Sequence, residues 1–287
     1  MAESLEEAPG RSQGSATPTG GGTPRSGGPG GAHVTCSRDG HIAVVTLARA
    51  VKLNSLTPAM LDELEGIARA LEADSEVRVV VLTGAGEKAF CVGADINEWA
   101  ALQPLDMWRR WVRRGHQVFD QWARLRQPVI AAINGHAFGG GVELAITADI
   151  RIAAEHAQFA LPEASIGTCP GWSGSQRLVK LVGASHAKYL ALSGTRIAAA
   201  DALTSGLVHE VESAATLNER AMTLAREMAA KAPVSLQLTK QLINAAAGED
   251  AAVALEAMAG ALAATTEDGA EGVRSFREKR APRYVGR

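Results

Sequence analysis

The sequence has few cysteines, no long apolar run and no excess of charge of either sign. Its three cysteines, Cys36, Cys91 and Cys169, are odd in number and lack metal-ligand spacing, which favours free thiols in a reducing, cytoplasmic compartment. No stretch of about 18 uncharged apolar residues is present, so the sequence predicts no membrane-spanning helix. A formal net charge of −2 argues against nucleic acid or a membrane surface as a partner.

The first 31 residues also lack large apolar side chains. Gly, Pro, Ser, Thr and charged residues make up almost all of residues 1–31, and Met1 and Leu5 are the large apolar exceptions. Such a segment buries too little surface to offset the entropy of ordering it, so the sequence predicts a disordered extension over residues 1–31. The remaining chain is long enough for one large domain with a sizeable core.

Apolar patterning after residue 31 predicts alternating strands and helices. Residues 57–74 are typical of an amphipathic helix, with Thr57 as N-cap and Pro58 at the first helical position. β-branched or apolar runs predict strands at 41–48, 77–84, 128–135 and 150–154. This alternation indicates an α/β core over residues 32–184 with parallel strands, whereas residues 185–287 read as a helical subdomain.

The stretch AFGGGVELA, residues 137–145, places three glycines directly before the start of a helix. Glycine allows a ligand to approach the backbone amides that lack partners in a first helical turn, where the helix dipole adds positive potential. Such a turn can bind a carbonyl oxygen that becomes negative, with Glu143 as an acid or base beside it. The residues alone leave a phosphate site open, with Glu143 as a dipole partner, although the missing Lys-Ser or Lys-Thr excludes a P-loop.

Two further stretches repeat this chemistry. In KAFCVGADINEWA, residues 88–100, Gly93 admits close approach at the Ala94 amide. In FALPEASIGTCPGWSGSQRL, residues 159–178, Glu163 follows Pro162 among apolar neighbours, which favours a position in a cleft. Two carboxylates and two amide donors predict a proton-transfer site beside an oxyanion hole.

Together the three stretches resemble the crotonase superfamily, most closely the enoyl-CoA hydratases. The resemblance runs from about residue 34 to the C-terminus and is carried by GADI, NGHAFGGGVELA, PEASIG and PGWSGSQRL. It implies an α/β crotonase-like spiral of ββα units in residues 32–184 and a C-terminal helical trimerisation subdomain in residues 185–287. It also implies a homotrimer, or a hexamer built from two trimers.

The resemblance assigns roles by motif position. The amides of Ala94 and Gly140 would form the oxyanion hole, Glu143 would activate water, and Glu163 would protonate the α-carbon of an enoyl-CoA. No metal or separate cofactor is implied, because coenzyme A is part of the substrate. The residues implied to contact the acyl-CoA are Leu53, Ala94, Asp95, Ile96, Asn97, Gly171, Trp172 and Lys279.

Departures and alternatives remain at this point. Ala50 stands where the family often has Pro, and Trp172 stands where a small residue is commoner, which predicts compact acyl groups. Retention of both glutamates favours hydration over isomerisation, thioester hydrolysis or decarboxylation on the same fold. A non-catalytic binding protein is the other alternative. His136, Cys91 and Cys169 are interpreted as structural, and Trp99, Trp108 and Trp111 as core or acyl-pocket wall.

Overall fold

The computed structural model describes residues 33–287, so the disorder predicted for residues 1–31 falls outside the described part. In this described part of the chain, ten strands form two sheets. The strands are β1 Val34–Asp39, β2 Ile42–Leu47, β3 Val79–Gly84, β4 Ala89–Cys91, β5 Val129–Ile133, β6 His136–Phe138, β7 Ile150–Ala154, β8 Gln158–Ala160, β9 Ile197–Ala198 and β10 Glu210–Glu212. The larger sheet has the order β1-β2-β3-β5-β7-β10, and the smaller has the order β4-β6-β8-β9.

Helices follow the strand pairs. They are α1 Pro58–Ala73, α2 Ile96–Trp99, α3 Pro104–Asp106, α4 Arg113–Ala123, α5 Gly140–Ala145, α6 Gly174–Ser193, α7 Ala199–Thr204, α8 Leu217–Ala229, α9 Pro233–Ala246, α10 Ala251–Ala264 and α11 Glu267–Glu278. A π-helical segment, Met107–Val112, connects α3 to α4. No helix in residues 33–287 is both long enough and apolar enough to cross a membrane.

The strand pairs β3–β4, β5–β6 and β7–β8 give the fold its repeat. In each pair the first strand joins the larger sheet in parallel and the second joins the smaller one. Helical segments then carry the chain to the next pair, which confirms the predicted spiral of ββα units. The carboxyl ends of β4 and β6 therefore emerge side by side, and both lead into motifs predicted to form the site.

The larger sheet is covered on both faces. One face packs against Leu217, Ala221 and Ala225 of α8, and the other belongs to the main core with α1. Every residue of β5 is buried, as expected for a central parallel strand without polar alternation. In α1, Thr57 Oγ1 accepts a hydrogen bond from the Met60 amide at 3.2 Å, which confirms the predicted N-cap.

The C-terminal part is mainly helical but also contributes strands. β9 pairs with β8 and β10 with β7, so the chain after residue 185 completes both sheets. These strands of two and three residues are too short to carry a period-2 pattern, and the sequence did not predict them. The predicted boundary at residue 184 follows Gly183, whose φ of 74° interrupts α6. The division into two subdomains stays a prediction.

Candidate active site

A cavity of about 190 Å³ opens where β4 and β6 end, and the predicted motifs line it. Ala94 follows β4, Gly140 and Glu143 belong to α5, and Glu163 opens a 3₁₀ turn that ends at Ile166. Parallel pairing of β4 with β6 brings Cys91 opposite Ala137, so the residues that follow the two strands lie next to each other. The structure thus joins three stretches that are separated by up to about 70 residues in sequence.

Each of the three glycines before Glu143 is required for a different reason. Gly139 has a φ of 51°, and a Cβ there would lie 3.0 Å from Glu163 Oε1. A Cβ on Gly140 would lie 2.9 Å from the indole of Trp172, and a Cβ on Gly141 would overlap the Cys91 carbonyl. The bare backbone therefore lets α5 start in direct contact with the neighbouring strand end and with both sides of the cavity.

Two backbone amides are available at the cavity wall. Gly140 is the first residue of α5, so its amide has no acceptor one turn earlier. The Leu56 amide donates to the Gly93 carbonyl, and the Leu56 carbonyl accepts from the Asp95 amide, each at 2.8 Å. The Ala94 amide lies between these two bonds and faces away from Leu56. Among residues 33–287, no acceptor takes either amide. Gly93 has a φ of 93° and a Cβ on it would lie 3.1 Å from the Gly140 nitrogen, so the two donors are close.

Glu143 is almost fully buried, with 3% of its surface exposed. Its Oε1 accepts hydrogen bonds from the amides of Trp172 and Gly174, both at 2.8 Å. Burial raises the pKa of Glu143 above its ordinary value, while these amides, that of Gly171 and the charge of Arg177 oppose the rise. The residue is thus a carboxylate fixed in one orientation beside the cavity.

Glu163 has a different environment. Its Oε2 is buried without a hydrogen-bond partner among the described residues. Burial, with a contribution from the Glu143 charge, raises the pKa of Glu163 to about 7. Two backbone amides donate hydrogen bonds to Glu143 Oε1, whereas Glu163 Oε2 accepts none among the described residues. Glu163 can therefore hold a proton near neutral pH.

The indole of Trp172 is part of the cavity wall. Only 4% of the residue is exposed, and its ring lies 5.3 Å from that of Trp111 and 5.2 Å from that of Phe119. A Cβ on Gly115 of α4 would overlap the indole. The missing side chain at Gly115 therefore provides the space that the larger Trp172 occupies.

An ion pair anchors the loop that carries Ala94. Arg49 Nη1 donates to Asp95 Oδ2 at 2.7 Å and also to the Ser55 carbonyl and hydroxyl. The hydrogen bond from Arg49 is the main cause of the lowered pKa of Asp95. The side-chain amide of buried Asn54, next to Ser55, donates hydrogen bonds to the Ala85 and Ala89 carbonyls. Sequence reasoning did not single out Arg49, because its partner is 46 residues away.

The structure brings most, but not all, of the predicted site residues to the cavity. Those lining it are Ala94, Ile96, Gly140, Glu143, Glu163, Gly171 and Trp172. At the start of α2, Asp95 Oδ1 instead accepts hydrogen bonds from the backbone amide and the side-chain amide of Asn97. Leu53 lies in the preceding loop, where its carbonyl accepts from the Val92 amide, and Lys279 follows α11. The roles of all these residues stay predictions.

The tryptophans were only partly predicted. Trp99 and Trp111 line the cavity, in agreement with the sequence interpretation. The interpretation of Trp108 as core or pocket wall was wrong, because 60% of it is exposed. Trp108 lies in the π-helical segment, whose wider turns change which side chains share a face. Met107 and Thr168 also line the cavity and were not predicted.

The remaining thiols and His136 were interpreted as structural. Cys91 is buried at the end of β4, and burial raises the pKa of its thiol to about 12. Cys169 lies at the exposed rim of the cavity. The His136 ring stacks on Phe138 at 5.4 Å, while burial lowers its pKa. Their structural interpretation stays a prediction.

Comparisons with known proteins agree with this geometry. Residues 37–287 match the family Enoyl-CoA hydratase/isomerase. A short-chain-enoyl-CoA hydratase from Clostridium acetobutylicum is 41% identical over 250 residues, covering 86% of this chain and 95% of that protein. An (E)-benzylidenesuccinyl-CoA hydratase from Thauera aromatica is 36% identical, covering 88% and 99%. The crystal structure of enoyl-CoA hydratase from Bacillus anthracis superposes with a TM-score of 0.75 at 38% identity, covering 89% and 100%.

Proposed function

Because the chain belongs to the enoyl-CoA hydratase/isomerase family, we propose that it adds water across the α,β double bond of an enoyl-CoA thioester and releases a 3-hydroxyacyl-CoA. One observation carries the proposal: a single cavity combines two carboxyl groups of different environment with two backbone amides that have no acceptor within residues 33–287. Such a set supplies a base, an acid and an oxyanion hole from the chain itself.

The amides of Ala94 and Gly140 act on the thioester carbonyl. Conjugation makes the β-carbon electrophilic, and addition of water oxygen there moves an electron pair onto the carbonyl oxygen. Both amides bind this developing oxyanion, and each donor of this kind typically lowers the barrier by about 2.7–4 kcal/mol. Collapse of the enolate then requires a proton at the α-carbon.

The two glutamates divide the proton transfers. Glu143 takes a proton from the attacking water: the amide hydrogen bonds on its Oε1 stabilise the charged form against burial, and the raised pKa makes the carboxylate a stronger base. Glu163, whose pKa lies near 7, donates a proton to the α-carbon. The proton gained by Glu143 returns to Glu163, directly or through water, before the next cycle. The reaction needs no metal or redox cofactor, and coenzyme A enters as part of the substrate.

The natural acyl group is short or compact. Trp172 lines the cavity and packs against Trp111 and Phe119, and its large indole limits the space for a straight acyl chain. The relative from Clostridium acetobutylicum is named for short-chain substrates, which is consistent with this proposal. Leu53, Asp95, Asn97 and Lys279 remain the proposed contacts of coenzyme A outside the cavity.

The proposed assembly is a homotrimer or a dimer of trimers. No residue of α10 is buried in the single chain, and its exposed apolar residues include Val253, Leu255 and Leu262. An apolar helix of this kind favours burial against another copy. Three unpaired cysteines support a reducing, cytoplasmic location.

A hydration assay tests the function directly. Purified protein is mixed with enoyl-CoAs of four to twelve acyl carbons, and loss of the conjugated-thioester absorbance is followed together with product analysis. We expect hydration, with kcat at least about 10²-fold lower in Glu143→Gln and in Glu163→Gln and with unchanged circular dichroism. Movement of a double bond in 3-enoyl-CoAs without hydration, or wild-type kcat in either variant, would contradict the proposal.

A further inference from the structure

Glu143 is held by a turn that follows it by some thirty residues in sequence. Ser173 lies between Trp172 and Gly174, whose amides both donate to Glu143 Oε1. Its φ of 74° and ψ of 6° place it in the left-handed region, which residues with a Cβ rarely adopt. A left-handed residue in a turn directs successive amides into one concave face, so this conformation is what lets both amides reach one oxygen.

The side chain of Ser173 ties this turn to α4. Its hydroxyl lies 3.1 Å from His116 Nδ1 and donates to Asp120 Oδ1 at 3.3 Å. Asp120 also accepts from Arg177 Nη2 at 2.7 Å, and the Arg177 amide donates to the Ser173 carbonyl at 3.0 Å. Both the hydroxyl and the carbonyl of Ser173 are therefore fixed by residues outside the turn.

The turn and the carboxylate are in direct contact. A Cβ on Gly174 would lie 2.6 Å from both Cγ and Oε1 of Glu143, so the glutamate packs against the backbone there. The turn and the Glu143 side chain are therefore in van der Waals contact, with no space between them. A shift of the turn therefore moves the carboxylate relative to the cavity.

We propose that Ser173 is a positioning residue, whose hydroxyl, held by His116 and Asp120, keeps the turn in the left-handed conformation that fixes Glu143 Oε1. Ser173 acts through the backbone and does not contact the reacting atoms. The kinetic part of the test rests on the proposed hydratase function. A second measurement is independent of activity.

Two substitutions separate the hydroxyl from the backbone preference. Ser173→Ala removes the hydroxyl but keeps the Cβ, for which a positive φ is unfavourable. Ser173→Gly removes both the hydroxyl and the Cβ, so the left-handed conformation no longer has a steric cost. We expect kcat for a short enoyl-CoA to fall on the order of 10-fold or more in Ser173→Ala, with KM within about twofold, and less in Ser173→Gly. Wild-type kcat in Ser173→Ala would overturn the proposal.

His116 offers a conservative rescue on the partner side. His116→Gln can still hydrogen-bond the Ser173 hydroxyl, whereas His116→Leu cannot. We expect the Leu variant to lose kcat and the Gln variant to stay within about twofold of wild type. Ser205→Ala is the matched control, because the Ser205 hydroxyl also makes a local hydrogen bond, to the Ala202 carbonyl, but at the end of α7. Equal losses in the Gln and Leu variants would contradict the proposed role of the hydroxyl.

Hydrogen exchange tests the turn without substrate. The amides of Trp172 and Gly174 bond a buried carboxylate, so we expect slow exchange in wild type and exchange about 10-fold faster or more in Ser173→Ala. Exchange in β5 should not change, which excludes global destabilisation. Unchanged exchange at residues 172 and 174 would overturn the proposal. Inactive wild-type protein would instead refute the hydratase function and leave the exchange result decisive for Ser173.

Discussion

At the scale of single residues, the environment of Glu163 links its protonation to folding. Its pKa is raised to about 7 in the folded chain, so the folded state binds this proton more tightly than the unfolded state does. The associated stability is fully present below the unfolded pKa and is lost as pH rises toward about 7. Because Glu163 is proposed to donate a proton, hydratase activity should also fall as pH rises above about 7, where the protonated fraction of Glu163 decreases.

We therefore expect Glu163→Gln to gain stability relative to wild type as pH rises from 5 to 7, by at most about 1.4 kcal/mol per pH unit, and to gain no more above that range. Urea unfolding at fixed protein concentration measures the difference. Glu219→Gln at an exposed position of α8 is the control and should not reproduce the gain. Parallel stability curves for wild type and Glu163→Gln would show that the carboxyl is ionised in the folded state.

A second prediction at this scale concerns Trp172 and Gly115. Trp172→Ala removes the indole from the cavity wall and should raise relative activity on longer acyl chains, each added methylene gaining up to about 0.8 kcal/mol from burial. Gly115→Ala should do the reverse, since its Cβ would overlap the indole and push it toward the cavity. The measurement is kcat/KM for C4 to C12 enoyl-CoAs.

Opposite shifts of the chain-length profile in the two variants would place Trp172 at the acyl end. Trp172→Phe provides a milder control, because truncating a buried tryptophan to alanine costs roughly 3–5 kcal/mol of stability. Profiles parallel to wild type in both Trp172→Ala and Gly115→Ala would mean that the indole has a packing role alone.

At the scale of elements, the loop between β4 and α2 depends on the charge of Arg49, two residues after the end of β2. The side chains of Arg49 and Asp95 are only 16% and 8% exposed, so their ion pair is largely shielded from solvent. Arg49→Met leaves Asp95 without its cation and should cost roughly 3 kcal/mol of stability. It should also lower kcat about 10-fold or more, because the Ala94 amide loses its support.

The double variant Arg49→Met/Asp95→Asn separates these effects. Removing both charges should restore much of the stability, because no uncompensated carboxylate remains, while kcat should stay low. Urea unfolding and the hydration assay provide the two measurements. Full kcat in Arg49→Met would show that the loop holds its shape without the ion pair.

Elements also differ in how far the sequence predicts them. β3, β5 and β7 were predicted because buried parallel strands leave continuous apolar runs. β4, β6 and β8 each have three residues, too few for a periodic signal, so the second sheet was missed as a sheet. Even so, the motifs that follow β4, β6 and β8 were assigned to one site, because their chemistry is complementary.

At the scale of the whole molecule, the site depends on contacts that local sequence does not specify. Glu143 and Glu163 were predicted from their motifs, but the amides that hold Glu143 come from residues 29 and 31 positions later. Ser173 also contacts His116 and Asp120 of α4, which lie 57 and 53 residues before it in the sequence. Tertiary contacts of this kind carry no short-range pattern.

The last prediction concerns assembly. α10 has no buried residue in the single chain, although an apolar helix of this size is rarely left in water. We expect light scattering to give the mass of a trimer or hexamer. The double variant Leu255→Glu/Leu262→Glu should shift the mass toward smaller species, because each change places a charge in the proposed contact. The matched control Leu105→Glu changes an exposed leucine of α3 and should keep the wild-type mass. A monomeric wild type would contradict the proposed assembly itself, and a double variant of unchanged mass would show that α10 is not part of the contact.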